Sequence, residues 1–186
     1  MTNAKRVVRG AWLALLVLCA ACGQPGQAEQ ESKTMKASTT YLYLLRNTPF
    51  FTGLDTEQLR WTINHSREWE AEANTVVTQN PDSSGDVWVL LDGAWQLEYD
   101  GHHYPSGHAD PGKWFSAKLV DEAQGGWRLV ATEHSYVMKI SRAEFDAMLQ
   151  RGFAFEVHLD EGYRYYVAIF RPGSRIASPM HELSTH

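Results

Sequence analysis

The chain has 186 residues, 44% hydrophobic and 21% charged, which suits one globular domain plus a leader and leaves ample material for a core. With 22 acidic against 17 basic residues and a net charge of −5, it lacks the basic surplus of a nucleic-acid binder. Two cysteines are too few for a disulfide-built scaffold.

Lys5, Arg6 and Arg9 precede an apolar run from Ala11 to Ala21. A basic stretch followed by a short apolar one is the layout of a secretory signal. The run is shorter than the roughly 20 residues of a spanning helix. It ends in Leu18-Cys19-Ala20-Ala21-Cys22-Gly23, which resembles the lipobox of bacterial lipoproteins. The resemblance implies a signal peptide over residues 1–21 and lipidation of Cys22 as the mature N-terminus. Cys19 departs from the pattern, at a position usually held by Leu. Gly23 in place of Asp implies sorting to the outer membrane, facing the periplasm. The expected address is therefore the bacterial cell envelope, with the membrane engaged through the lipid. Loss of the leader leaves 14 basic residues against 22 acidic ones.

Residues 22–40 are rich in Gln, Gly, Ser, Thr and Lys and read as a flexible tether. Tyr41 to Arg46 reads as a short helical turn ended by Pro49. Asp55 and Gln58 have capping-box spacing at the start of a helix over Thr56–His65. Trp69, Ala71 and Ala73 alternate with Glu70 and Glu72, the pattern of a strand with one wet face. Asn74 turns the chain into Thr75–Gln79, and Asn80–Gly85 is a polar loop.

Val87, Val89 and Leu91 alternate with Trp88 and Leu90, which predicts a strand with little exposed surface. Asp92-Gly93 is a tight-turn dipeptide, and Trp95–Tyr99 reads as the returning strand of a hairpin. Asp100-Gly101 repeats the turn signal, and His102 to Pro111 reads as a loop or distorted hairpin. Leu129–Glu133 and Tyr136–Ile140 are the last expected strands. Ser141 with Glu144 opens a helix over Arg142–Gln150, with Phe145, Met148 and Leu149 inward. Phe153–Phe170 reads as a second, aromatic-rich helix, and residues 171–186 as a loose tail. Short strands at even spacing suit a jelly roll or small barrel. The seven tryptophans are expected as core and corner residues.

The stretch LLRNTPFFTGLDTEQLRWTI resembles the opening of cyclic-nucleotide-binding domains, the family of the cyclic AMP receptor protein and kinase regulatory subunits. The order of the later pieces fits too: the Gly85 loop, VWVLLDGAWQLEY, Pro111-Gly112 with Trp114-Phe115, then LVATEHSYVMKISRAEFDAML. The resemblance covers residues 41–170 and implies a mainly β fold, an eight-stranded jelly roll of cupin-like kind with flanking N- and C-terminal helices. It also implies a phosphate-binding cassette, in which a Phe-Gly-Glu segment opens a short helix and a following Arg pairs the phosphate. Here Phe115-Ser116-Ala117 stands in that place. Phe115 is kept, but Ala117 supplies no carboxylate, and the Arg position falls near Gly125-Gly126. The expected outcome is a kept barrel without its cyclic nucleotide.

Lys113, Phe115, Ser116, Lys118 and Arg128 remain as candidates for a weakened pocket that would make the domain a sensor of a small anion. His102, His103 and His108 lie beside Asp110, and imidazoles with a carboxylate could hold a metal in a cupin-like enzyme. A solvated polar loop explains them with less. His134 has no paired base or nucleophile in the sequence, and Ser141 and Glu144 are explained as a cap. There is no GxSxG, HExxH or other catalytic motif and no cofactor signature. Sixteen residues follow Phe170, too few for the helix-turn-helix that the family's transcription factors carry. The leading expectation is a non-catalytic binding module. Tyr163, Tyr165, Tyr166 and Phe170, with Phe153 and Phe155, offer a surface for a homodimer or an envelope protein.

Overall fold

A computed structural model describes residues 34–120 and 126–171. Cys22 and the rest of the leader, the first part of the expected tether, Gly125 and the tail from residue 172 lie outside the described residues. The strands are β1 (Lys36–Ser38), β2 (Ser66–Ala71), β3 (Val76–Gln79), β4 (Val87–Asp92), β5 (Ala94–Tyr99), β6 (His102–Gly107), β7 (Trp114–Ser116), β8 (Trp127–Ala131) and β9 (Ser135–Ile140). The helices are α1 (Leu42–Asn47), α2 (Thr56–Asn64), α3 (Arg142–Gln150) and α4 (Glu156–Phe170), with short 3-10 turns at Pro49–Phe51 and Ala117–Val120. Among the described residues, no helix is long and apolar enough to cross a membrane.

The strands form two antiparallel sheets, ordered β1-β2-β9-β4-β7 and β3-β8-β5-β6. This is the expected mainly β jelly-roll class with flanking helices. Strand β4 explains its own sequence. Val87, Val89 and Leu91 face one core with Trp114, Met138, the helix residues Leu59 and Phe145, and Phe155 at the N-cap of α4. Trp88 and Leu90 face the other core, between the sheets, with Trp95, Leu97, Phe115, Trp127 and Tyr166. A strand covered on both sides has no polar face to present. Six of the seven tryptophans lie among the described residues, and Trp88, Trp95, Trp114 and Trp127 are buried as expected of core residues.

Three expectations change. First, Asp92-Gly93 does not close a hairpin. Strand β4 pairs with β7 and β9, whereas β5 pairs with β6 and β8, so the chain leaves one sheet for the other at Gly93. Gly93 has φ +86°, and a Cβ there would collide with the Ser135 hydroxyl and the His134 carbonyl. The left-handed backbone that favours glycine in a hairpin also serves this corner, and local sequence does not separate the two. The hairpin signal at Asp100-Gly101 is the real one: both residues have positive φ, and β5 and β6 pair from Tyr99↔His102 to Ala94↔Gly107.

Second, the expected tether contains a strand. Lys36–Ser38 pairs with Glu68–Glu70 at the sheet edge, which raises the strand count among the described residues to nine. Third, β2 does not alternate as expected: Glu68 is buried, and Trp69 and Glu70 are half-buried. The added edge strand covers residues that an eight-strand jelly roll would leave open.

The local signals at the helices hold. Asp55 accepts from the Gln58 N–H at 2.8 Å, and the Gln58 side chain accepts from the Asp55 N–H at 3.1 Å. Ser141 accepts from the Glu144 N–H at the head of α3. Phe145 and Met148 are buried, with Leu149 partly so.

Candidate functional site

The cassette position lies at the end of β7. Phe115 is fully buried, its ring 5.0 Å from that of Trp127 and 5.3 Å from that of Tyr166. Ser116 is buried and donates its hydroxyl to the Gly85 carbonyl at 3.2 Å. Ala117 is buried as part of the same core. The chain continues from β7 into a 3-10 turn over Ala117–Val120, and residues 121–125 beyond it lie outside the described residues. Lys118 is exposed and lays its aliphatic stem over Gly85.

The other two cations point to other partners. Lys113 is buried, and its ammonium meets Glu161 of α4 at 3.2 Å. Arg128 is exposed on β8 and donates to Glu98 of β5 through Nε at 3.0 Å. Partial burial tends to raise the pKa of Glu98, but the bonds from Arg128 and Gln96 outweigh it and hold the carboxyl below its usual range. Arg128 therefore lines a different place, a groove of about 450 Å³ bordered by Gln79, Asn80, Tyr99 and His103.

The Pro111-Gly112 turn is held by packing. The Gly112 carbonyl accepts from the Trp95 indole and the Tyr166 hydroxyl, both at 2.9 Å. A Cβ at Gly112 would strike the Ser106 hydroxyl and the Tyr165 ring. Burial pushes the Tyr166 hydroxyl well above the usual phenol range, so it stays a donor. Trp114 donates to the His158 carbonyl at 2.7 Å, and Gly162 gives its indole room. The aromatic residues of α4 and of its N-cap thus pack largely inward: Phe155, at the cap, and Tyr163 and Tyr166 are buried, and Phe170 sits against Tyr99.

The histidine segment is a strand, not a loop. His102 and His103 are successive residues of β6, so they point to opposite faces, and His108 lies beyond the strand end, 3.7 Å from Asp92. The three imidazoles do not converge. The period-2 rule would have separated His102 from His103 had Pro105 and Gly107 not masked the strand. Pro105 is tolerated because β6 is the edge of its sheet.

Elsewhere the structure brings together residues that the sequence left apart. The His134 Nε2–H donates to Glu70 Oε1 at 2.7 Å. His134, Glu70 and Glu72 each place a donor atom within 4.8 Å of the others. The hydrogen bond to Glu70, helped by Glu72 and Asp92, raises the His134 pKa above the usual imidazole value, and that of Glu70 is lowered in return. The signal in the sequence was the Glu70-Ala71-Glu72 alternation on a strand.

No protein-family model and no curated protein matches the chain. Solved structures do. A PKAR CBD2 domain bound to Sp-2Cl-cAMPS has a TM-score of 0.51 at 13% identity, over 69% of this chain and 88% of that one. A cAMP-bound PfPKA-R fragment has a TM-score of 0.53 at 13% identity, over 69% and 45%. The regulatory subunit of a cAMP-independent protein kinase A from Trypanosoma cruzi, bound to guanosine, has a TM-score of 0.51 at 19% identity, over 75% and 51%. The chain spans about half the length of the last two. The likeness establishes the fold of cyclic-nucleotide-binding domains.

Proposed function

We propose that this protein is a non-catalytic binding or interaction module of the bacterial cell envelope, lipid-anchored through Cys22, whose cyclic-nucleotide-binding fold no longer takes a cyclic nucleotide. The observation that carries this reading is the state of the cassette position: Ser116 bonds inward to Gly85, Ala117 sits in the core, and Lys113 and Arg128 are committed to Glu161 and Glu98. A phosphate pair and a ribose contact would be missing, at roughly 1.5–3 kcal/mol for each charged hydrogen bond. Micromolar affinity is only about 8 kcal/mol in total. The fold does not dictate the ligand, since one protein that shares it is the regulatory subunit of a cAMP-independent protein kinase A and is bound to guanosine.

The anion-sensor reading would rest on Lys118 alone among the three cations once expected to share a pocket. The similar structures are regulatory and binding proteins, in keeping with a non-enzymatic role. Calorimetric titration of the full chain in detergent with cyclic AMP and cyclic GMP tests the main claim. No saturable heat up to about 1 mM is expected, a concentration equivalent to about 4 kcal/mol. Saturable binding in the micromolar range would overturn it. The anchor has its own test: Cys22→Ala is expected to move the protein from the membrane to the soluble fraction. Retention on the membrane would remove lipidation as the mode of attachment.

A further inference from the structure

We propose that Glu70, Glu72 and His134 form a binding site for a divalent transition metal of the zinc class, at the edge where β2 meets the turn before β9. Three donor atoms, one imidazole nitrogen and two carboxylate oxygens, lie within 4.8 Å of one another. In a tetrahedral shell with bonds of about 2.1 Å, ligand atoms stand about 3.4 Å apart. The required change is small. The 2.7 Å His134–Glu70 bond opens by about 0.7 Å as the metal replaces the shared proton, and Glu72 swings in.

The backbone fixes this geometry. Strand β2 pairs with β9 through Glu70↔Tyr136 and Ala71↔Ser135, which sets His134 beside the β2 residues just past the end of the ladder. The Tyr136 ring stands edge-on to the imidazole at 5.2 Å and limits its swing.

The neighbouring carboxylate on this face of the strand is Glu68. Glu68 lies on the same face of β2, two residues before Glu70, and is 4% exposed, with Oε2 lacking any hydrogen-bond partner. A buried carboxylate oxygen without a donor is costly. The charges around the site are His134 with Glu70, Glu72 and Asp92, and Lys36, which faces Glu70 from β1. Carboxylates outnumber cations, so a divalent ion improves the balance.

The donor set indicates the metal class. Carboxylates alone would suit calcium or magnesium, whereas an imidazole nitrogen favours zinc and its neighbours. Three protein ligands leave at least one coordination position for water or for a donor from another molecule.

The test is calorimetry of the untagged full chain in detergent, with zinc chloride as the only titrant, alongside His134→Asn and Glu72→Gln. One equivalent is expected to bind, and each substitution to weaken binding at least tenfold, as removal of a direct ligand exceeds the about 10- to 100-fold loss from outer partners. Both variants change exposed side chains, and matching thermal unfolding curves without metal will show that they fold. Three results would overturn the proposal: no zinc binding below about 100 µM, equal binding by the variants (as the thiols of Cys19 and Cys22 would give), or displacement of zinc by equimolar calcium.

Discussion

The cassette position and the β2 edge differ in how they treat their polar groups. At the cassette, the Ser116 hydroxyl and the Lys113 ammonium have partners within the protein, and rings fill the adjoining core. At the edge, Glu70, Glu72 and His134 gather on a partly open surface with Asp92 near His134, and Glu68, on the same face of β2, is buried with an unpartnered oxygen. A polar group whose bonds are made inside the fold stabilises that fold and has little left for a ligand. Carboxylates gathered within 4.8 Å of one another around one imidazole suit a counter-ion. At the cassette position the polar side chains are thus paired inside the fold, while the β2 edge keeps its carboxylates and imidazole on the surface.

The contrast can be broken most strongly at Trp114, which is fully buried and bonded to His158. Trp114→Ala is expected to cost about 3–5 kcal/mol in a denaturant titration, because the cavity adjoins the tightly fitted Gly162. A loss below 1 kcal/mol would mean that β7 is not seated as described. Next comes Ala117→Glu, which restores the carboxylate that the cassette lacks. Ala117 is 3% exposed, so the substitution is expected to destabilise the fold by about 2–4 kcal/mol without creating affinity for cyclic AMP. A stable variant that binds the nucleotide would make the cassette a repairable site and not a packed one. Glu161→Ala leaves Lys113 buried without its anion. The expected loss is about 1–2 kcal/mol, less than for a fully buried pair because the Glu161 side chain is 48% exposed.

The smaller effects belong to the open side. His134 is raised by its bond to Glu70. Its contribution to stability is therefore full below the unfolded imidazole pKa of about 6.5 and is lost as pH rises through the higher folded value. Glu70 is lowered, so its contribution is present above the unfolded carboxyl pKa and is lost as pH falls through the folded one. Proton NMR titration of the His134 ring is expected to give a midpoint above 6.5 that drops in Glu70→Gln; an unmoved midpoint would break the pairing. Arg128→Ala is the smallest, under about 1 kcal/mol, since that pair is exposed.

Local features were legible in the sequence and long-range ones were not. The Asp55–Gln58 cap, the span of α3 and the two-sided burial of β4 come from residues within a few positions of one another. The Ser116 and Ala117 substitutions at the cassette could be read directly. Gly93 misled because a positive-φ glycine serves a hairpin and a sheet crossing equally well. Strand β1 was hidden because so short a segment as Lys36-Ala37-Ser38 becomes a strand only when an edge is there to accept it. The pairing of Glu70 with His134 was out of reach, since 64 residues separate them and only the β2–β9 register brings them together.

The central claim is that the barrel is kept while its cyclic-nucleotide pocket is gone. The most direct measurement is an amide chemical-shift titration of the full chain in detergent with cyclic AMP, read at Trp114, Phe115, Ser116 and Ala117. A barrel without the pocket will give dispersed, folded spectra in which these four signals stay in place at every ligand concentration. Saturable shifts confined to those residues, with a micromolar midpoint, would contradict it.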